Sequence, residues 1–90
     1  MNFENDLKRL LDKLRGVPMH EHRGEIDRCI QDAHDLASHN ESGVALENLC
    51  ENLYEWEFPL TEEIFSDIQR LANQLGLKQH YVDIVKKLLA

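Results

Sequence analysis

The sequence lacks a long hydrophobic run. No apolar stretch approaches the ~18–20 residues that a membrane-spanning helix needs. The first eleven residues, MNFENDLKRLL, mix charged and apolar side chains and do not resemble a signal peptide. The chain also has no stretch that alternates polar and apolar residues and no internal repeat, which argues against a sheet or a repeat array. We therefore expect a cytoplasmic all-α protein that does not bind a membrane.

Cysteine is scarce, and the familiar catalytic motifs are missing. The two cysteines, Cys29 and Cys50, fall on apolar positions of helical patterns, so we interpret them as buried thiols in a reducing compartment. No phosphate-binding loop, G-x-S-x-G, HExxH or EF-hand loop occurs. The sequence thus predicts no catalytic residue, no metal site and no cofactor, and an enzyme is disfavoured.

Histidine offers one alternative to this interpretation. His20 and His22 flank Glu21 in a predicted connector, and such a trio could hold a metal ion in a small metal-dependent enzyme. Asp35 and His39, one helical turn apart, could chelate weakly. No matching Cys/His pair at zinc-finger spacing supports either arrangement.

The 90 residues, 42% of them hydrophobic, favour one folded domain over 1–90. Apolar residues at helical spacing predict a bundle of four to five short helices. The first should cover about 3–15 and end at Gly16, and the second about 24–38. Ser42 is the expected N-cap of the third helix and Thr61 that of the fourth, which Gly76 should close. The tail QHYVDIVKKLLA, 79–90, predicts a fifth helix whose inward residues are Tyr81, Ile84, Val85 and Leu88.

Basic residues are absent from the middle of the chain. Residues 29–69, which we call the acidic segment, contain ten acidic residues and no lysine or arginine, so the segment carries −10. The remaining residues carry ten bases and seven acids, or +3, and the whole chain carries −7. This balance disfavours nucleic acid as a ligand, because nucleic acid requires positive potential.

In the predicted third helix, the acids form a stripe with an aromatic residue. Glu47, Glu51, Tyr54 and Glu55 should lie away from the buried face, and Trp56 and Glu57 follow at the helix end. Like charges four residues apart mildly destabilise a helix, so a purpose other than helix stability is indicated. The stripe could be a solvated face or a binding surface. We expect Phe58 in the core and Tyr54 at least half exposed, and Trp56 could be either core or surface.

Residues 45–77, ALENLCENLYEWEFPLTEEIFSDIQRLANQLGL, resemble the immunity proteins of bacterial polymorphic toxin systems, most closely the MafI family. The resemblance covers about a third of the chain, in two parts. The first is an "AL..LC..LYE" helix, matched here by Ala45, Leu46, Leu49, Cys50, Leu53, Tyr54 and Glu55. The second follows an acidic and aromatic turn, and is matched by Pro59, Ile64, Ile68, Leu71, Leu75, Gly76 and Leu77.

The resemblance implies a small helical inhibitor of a toxin that Maf or contact-dependent inhibition machinery delivers, often a nuclease such as an EndoU-type RNase. The expected partner is the cognate toxin C-terminal domain, a basic nuclease, in a 1:1 complex. The predicted contact region comprises Glu47, Glu51, Tyr54, Glu55, Trp56, Glu57, Glu62, Glu63 and Asp67. The alternative is an acidic helical adaptor or regulator that binds a basic host protein.

Overall fold

The computed structural model describes residues 3–18 and 21–89, and it contains five α-helices in that part of the chain. The all-α prediction is confirmed. The helices are α1 (Phe3–Arg15), α2 (Arg23–Ser38), α3 (Ser42–Glu55), α4 (Glu62–Leu75) and α5 (Gln79–Lys86). None of the helices in the described ranges is long and apolar enough to cross a bilayer.

Helix α3 is the centre of the bundle. It packs against each of the other four helices, while α2 also contacts α1, and α4 also contacts α1 and α5. All five helices and the α3–α4 link contribute side chains to one hydrophobic core. Phe58 and Leu60 bring the link into that core, and Phe58 is completely buried, as its sequence position predicted. Because α3 contacts four neighbours, only one side of it remains for solvent.

Three helices end in the same backbone closure. Asn40, Glu57 and Gly76 follow α2, α3 and α4 with φ of 63°, 50° and 74°, the left-handed region. In each case the next amide donates a hydrogen bond to the carbonyl five residues earlier, at 2.9, 3.0 and 2.9 Å. This closure satisfies carbonyls that have no partner within the helix. The predicted stop at Gly76 is confirmed, and Leu77 packs against the core after it.

Helix α1 ends differently from the prediction. It ends at Arg15, but Gly16 does not have a positive φ and its amide donates to the Lys13 carbonyl in a tight turn. The Arg23 guanidinium instead donates hydrogen bonds to the carbonyls of Arg15 and Val17, at 2.9 and 3.2 Å. A side chain from the start of α2 thus satisfies carbonyls at the end of α1, the role that a left-handed glycine closure was expected to have.

One of the two N-cap predictions is confirmed and the other is wrong. Thr61 caps α4, because its Oγ1 accepts a hydrogen bond from the Ile64 amide at 3.2 Å. The expectation for Ser42 was wrong: the N-cap of α3 is Glu41, whose side chain makes no capping hydrogen bond. The Glu41 carbonyl already accepts the Ala45 amide, so α3 begins one residue before the predicted position.

The predicted fifth helix was too long. Helix α5 stops at Lys86, and Val82 and Val85 are its fully buried residues, whereas Tyr81 and Ile84 are only partly buried. After the helix, the Leu88 carbonyl accepts a hydrogen bond from the Leu60 amide at 2.9 Å. This contact draws the end of the chain onto the α3–α4 link, where a continued helix could not follow.

Candidate protein-binding surface

The solvent-facing side of α3 carries both acidic and apolar side chains. Successive residues turn by about 100° around a helix, so Val44, Glu47, Glu51, Tyr54 and Glu55 fall on the side away from its buried leucines. We call these five residues the α3 outer face. Val44 and Tyr54 are 41% and 43% exposed, and among the described residues they are the large hydrophobic side chains most open to solvent. Both therefore lie among the carboxylates that the sequence singled out.

The carboxylates of the α3 outer face are not neutralised by ion pairs. Glu51 and Glu55 are exposed and Glu47 is partly buried. Within the described ranges, none of the three forms a salt bridge, although seven such pairs join other residues. Their negative charge is thus directed to solvent and to the neighbouring helix α5.

Helix α5 brings a base next to this acidic surface, which the linear sequence did not indicate. Lys87 Nζ lies 5.9 Å from the centre of the Tyr54 ring. Burial raises the pKa of Tyr81 on the same helix, and the charges of Glu47 and Glu51 raise it further. The negative charge of the α3 outer face therefore acts on side chains of α5 across the contact between the two helices.

Trp56 lies on a different side of α3. It is partly buried against the core, and its ring lies against the His22 ring, tilted by 36° with centroids 4.6 Å apart. Trp56 also lines a shallow groove between α2 and α3. It is therefore half core and half surface, and it does not share the α3 outer face with Tyr54.

Sequence reasoning missed this groove between α2 and α3. One part, about 210 Å³, is lined by side chains that include Asp32, Asn48 and Glu51, and Trp56 lines the adjoining part. Asn52, which lines both parts, donates a hydrogen bond to the Cys29 sulfur at 3.3 Å. Asn48 and Asn52 lie one turn apart beside the apolar face of α3, a pattern that could have indicated a polar border there.

Three further predicted contact residues lie at helix ends and are exposed. Glu57 follows α3 in the left-handed conformation, and Glu62 and Glu63 occupy the first turn of α4. In that turn the helix dipole favours negative charge. Glu63 also pairs with Lys13 of α1, at 3.1 Å, so it is turned toward α1.

Asp67 is not a surface residue. It is only 9% exposed, and its carboxylate contacts Lys13 Nζ at 2.6 Å and Arg70 Nη2 at 3.1 Å. The hydrogen bonds from Asp67 and Glu63 raise the pKa of Lys13. Asp67 was predicted as a contact residue from charge counting alone. The structure gives it a role inside the fold, because its charge is already matched by two bases.

The titratable side chains do not form a recognisable catalytic centre in the described chain. Burial raises the pKa of Cys50 to about 12, with Glu51 and Glu47 adding to the effect, and burial raises the pKa of Cys29 as well. Both thiols are free and buried, as predicted, and are poor nucleophiles. No group of three or more His, Cys, Asp or Glu side chains with metal-binding geometry occurs among the described residues. His20 lies outside them, and the ring of His22 lies against Trp56.

The chain matches no protein-family model, and no curated protein or solved structure matches it either.

Proposed function

We propose that this chain is an immunity protein that binds a secreted toxin domain, a basic nuclease, in a 1:1 complex in the cytoplasm. The observation that carries the proposal is the composition of the α3 outer face. It combines the exposed Val44 and Tyr54 with three glutamates that form no ion pair in the described part of the chain. An exposed aromatic beside charged residues is typical of a protein-binding surface.

The two kinds of side chain have different roles in such a complex. Exposed carboxylates attract a basic partner over a long range and raise the association rate, in a way that salt weakens. Tyr54 and Val44 can be buried against the partner, and central aromatic residues dominate the affinity of most interfaces. A nuclease suits this surface because its phosphate-binding site must carry positive charge.

The resemblance of residues 45–77 to MafI immunity proteins also supports the proposal. Tyr54 and Glu55, which belong to the resembling pattern, lie on the α3 outer face. The other matched positions are mainly core leucines and isoleucines, which speak for the fold more than for the partner. An EndoU-type RNase is a specific candidate toxin within this proposal.

The test is growth rescue with a matched pair of double variants. A bacterial host expresses a candidate toxin domain, the C-terminal domain of a secreted protein sought among the neighbouring genes, together with the wild-type chain, Glu51→Gln/Glu55→Gln, or Glu21→Gln/Asp35→Asn. Both variants remove two exposed negative charges, but Glu21 and Asp35 lie outside the α3 outer face. We expect the wild type and the control to rescue growth and form a 1:1 complex. The Glu51/Glu55 variant should associate about tenfold more slowly at low salt, with a flatter salt dependence.

Equal association rates for the two double variants at low salt would show that the α3 outer face is not part of the interface with the toxin. Failure of the folded wild type to rescue growth or to form a complex would refute the immunity role. The adaptor alternative would then be tested by capture of basic host proteins on the same pair of variants, where only the Glu51/Glu55 variant should lose its partner.

A further inference from the structure

Tyr54 already holds a cation in the free protein. Lys87 Nζ lies 5.9 Å from the centre of its ring, within the ~6 Å over which an aromatic face attracts an ammonium group. Tyr54 is also 43% exposed, so the ring remains accessible from solvent. An aromatic ring with these two properties is suited to bind a basic side chain from outside.

The surrounding carboxylates strengthen this tendency. Glu51 lies one helical turn before Tyr54, Glu47 lies two turns before it on the same side, and Glu55 follows it directly. The field of Glu47 and Glu51 reaches α5, where it raises the pKa of Tyr81. A cation at the ring therefore gains attraction from the aromatic face and from three unpaired charges.

The hold on Lys87 is weak. Lys87 is exposed and follows Lys86, the last residue of α5, and it forms no salt bridge with any described residue. A single exposed cation–π contact changes an equilibrium only about two- to fivefold. A partner that presents an arginine, whose planar guanidinium stacks well on aromatic rings, can displace this lysine.

We propose that Tyr54, surrounded by Glu47, Glu51 and Glu55, is the receptor for an arginine or lysine side chain of the partner. Lys87 occupies this receptor in the free protein and leaves it when the partner binds. The inference rests on the proposed function, since it names the chemical group that the α3 outer face recognises. It also adds an intramolecular competitor, which lowers affinity for cations that cannot replace Lys87.

Two adjacent lysines provide a matched test. Lys87→Ala and Lys86→Ala remove the same charge from the same end of α5, but Lys86 makes no ring contact among the described residues. The probe is a hexa-arginine peptide, whose affinity is measured by calorimetry at low salt. Removal of a competing cation should make Lys87→Ala bind about two- to fivefold more tightly than Lys86→Ala. Tyr54→Leu should bind about two- to fivefold more weakly than wild type, and Tyr54→Phe should retain the affinity.

Proton NMR gives a direct readout in the wild-type chain. The ring current of Tyr54 should shift the side-chain methylene signals of Lys87 upfield relative to those of Lys86. Saturating peptide should move the Lys87 signals to the position of an unshielded lysine and leave Lys86 nearly unchanged. Tyr54→Leu should abolish the shift without any peptide.

Several outcomes would refute the proposal that Tyr54 is the receptor for a basic side chain. They are equal affinities of Lys87→Ala and Lys86→Ala, Lys87 signals that stay in place at saturation, or a wild-type chain that does not bind the peptide. These results are independent of growth rescue. If rescue depends on Glu51 and Glu55 but the Lys86 and Lys87 variants bind the peptide with equal affinity, the proposed function stands and the cation receptor at Tyr54 is rejected. If the peptide displaces Lys87 but the chain does not rescue growth, the cation site stands and the proposed toxin-binding function is rejected.

Discussion

Lys13 of α1 and Asp67 of α4 form the shortest ion pair in the described chain, with Nζ 2.6 Å from Oδ2. The two residues are 54 positions apart, and Asp67 is almost buried. The pair joins α1 to α4, where Lys13 also contacts the exposed Glu63 at 3.1 Å. It also removes one carboxylate from the acidic segment, since Lys13 and Arg70 together satisfy Asp67.

We expect Asp67→Asn to lower the thermal stability of the protein. The substitution leaves Lys13 and Arg70 without their buried anionic partner, and the loss of one member of such a pair is destabilising. Because Lys13 itself is partly solvated, the expected decrease in Tm is moderate, roughly 5–10 °C. Circular dichroism melting measures it, with Glu63→Gln as the control. Glu63 contacts the same lysine from an exposed position, so its removal should change Tm by only about 1–2 °C.

We expect His34 to make the fold less stable as the pH falls below neutrality. Burial lowers its pKa, as do Arg15 and Lys8, while Asp12 at 3.9 Å and Asp35 act in the opposite direction. His34 therefore binds a proton more tightly in the unfolded chain than in the folded chain. As a result, folding stability decreases as pH falls through about 6.5, the ordinary histidine pKa. Nε2 of His34 is also buried without a hydrogen-bond partner, because Asp12 Oδ1, at 3.9 Å, lies beyond hydrogen-bond distance.

The substitution His34→Leu should flatten the stability curve below about pH 6.5, the ordinary histidine pKa, from which stability is lost as the pH falls toward the lowered pKa of His34. Urea unfolding at several pH values measures this curve. His80→Gln, which changes an exposed histidine of α5, should keep the slope of the wild type. A slope that persists in His34→Leu would assign the pH dependence to other groups.

We expect Glu57→Gly to stabilise the free protein. Glu57 has a φ of 50°, a conformation that glycine adopts freely and that costs other residues about 1 kcal/mol or more. After the entropy of glycine is subtracted, a net gain of about 0.5–1 kcal/mol should remain. Urea unfolding measures the gain. Asn40→Gly tests the same closure after α2, where asparagine already tolerates the left-handed region, so a smaller gain is expected.

Strained backbone conformations concentrate at functional sites. If the Glu57 carboxylate contributes to toxin binding, Glu57→Gly should rescue growth less well than the wild type although it is the more stable protein. A destabilised Glu57→Gly would refute the strain at this position, and a more stable Glu57→Gly that rescues equally would mean that Glu57 has no role in binding.

Much of the local structure could be predicted because its causes are local. Apolar spacing placed α1 and α2 within about one residue of their observed bounds, and the hydroxyl of Thr61 and the freedom of Gly76 set the ends of α4. The burial of Phe58 also followed from the pattern, whereas Tyr54, at 43% exposed, falls short of the half exposure that was expected. Predictions failed where distant groups intervened: Arg23 closes α1 in place of Gly16, and Leu60 draws the chain away at the end of α5.

The sequence by itself determined five amphipathic helices and one helix whose outward side is acidic, because helical periodicity and charge are properties of neighbouring residues. Only the tertiary structure decided which of those charges stay free. Packing of α1 on α4 neutralises Asp67 with Lys13, and packing of α5 on α3 places Lys87 on Tyr54, while Glu51 and Glu55 receive no such partner in the described chain. Coulomb attraction depends on distance in space, and the core contacts that bring these helices together set that distance.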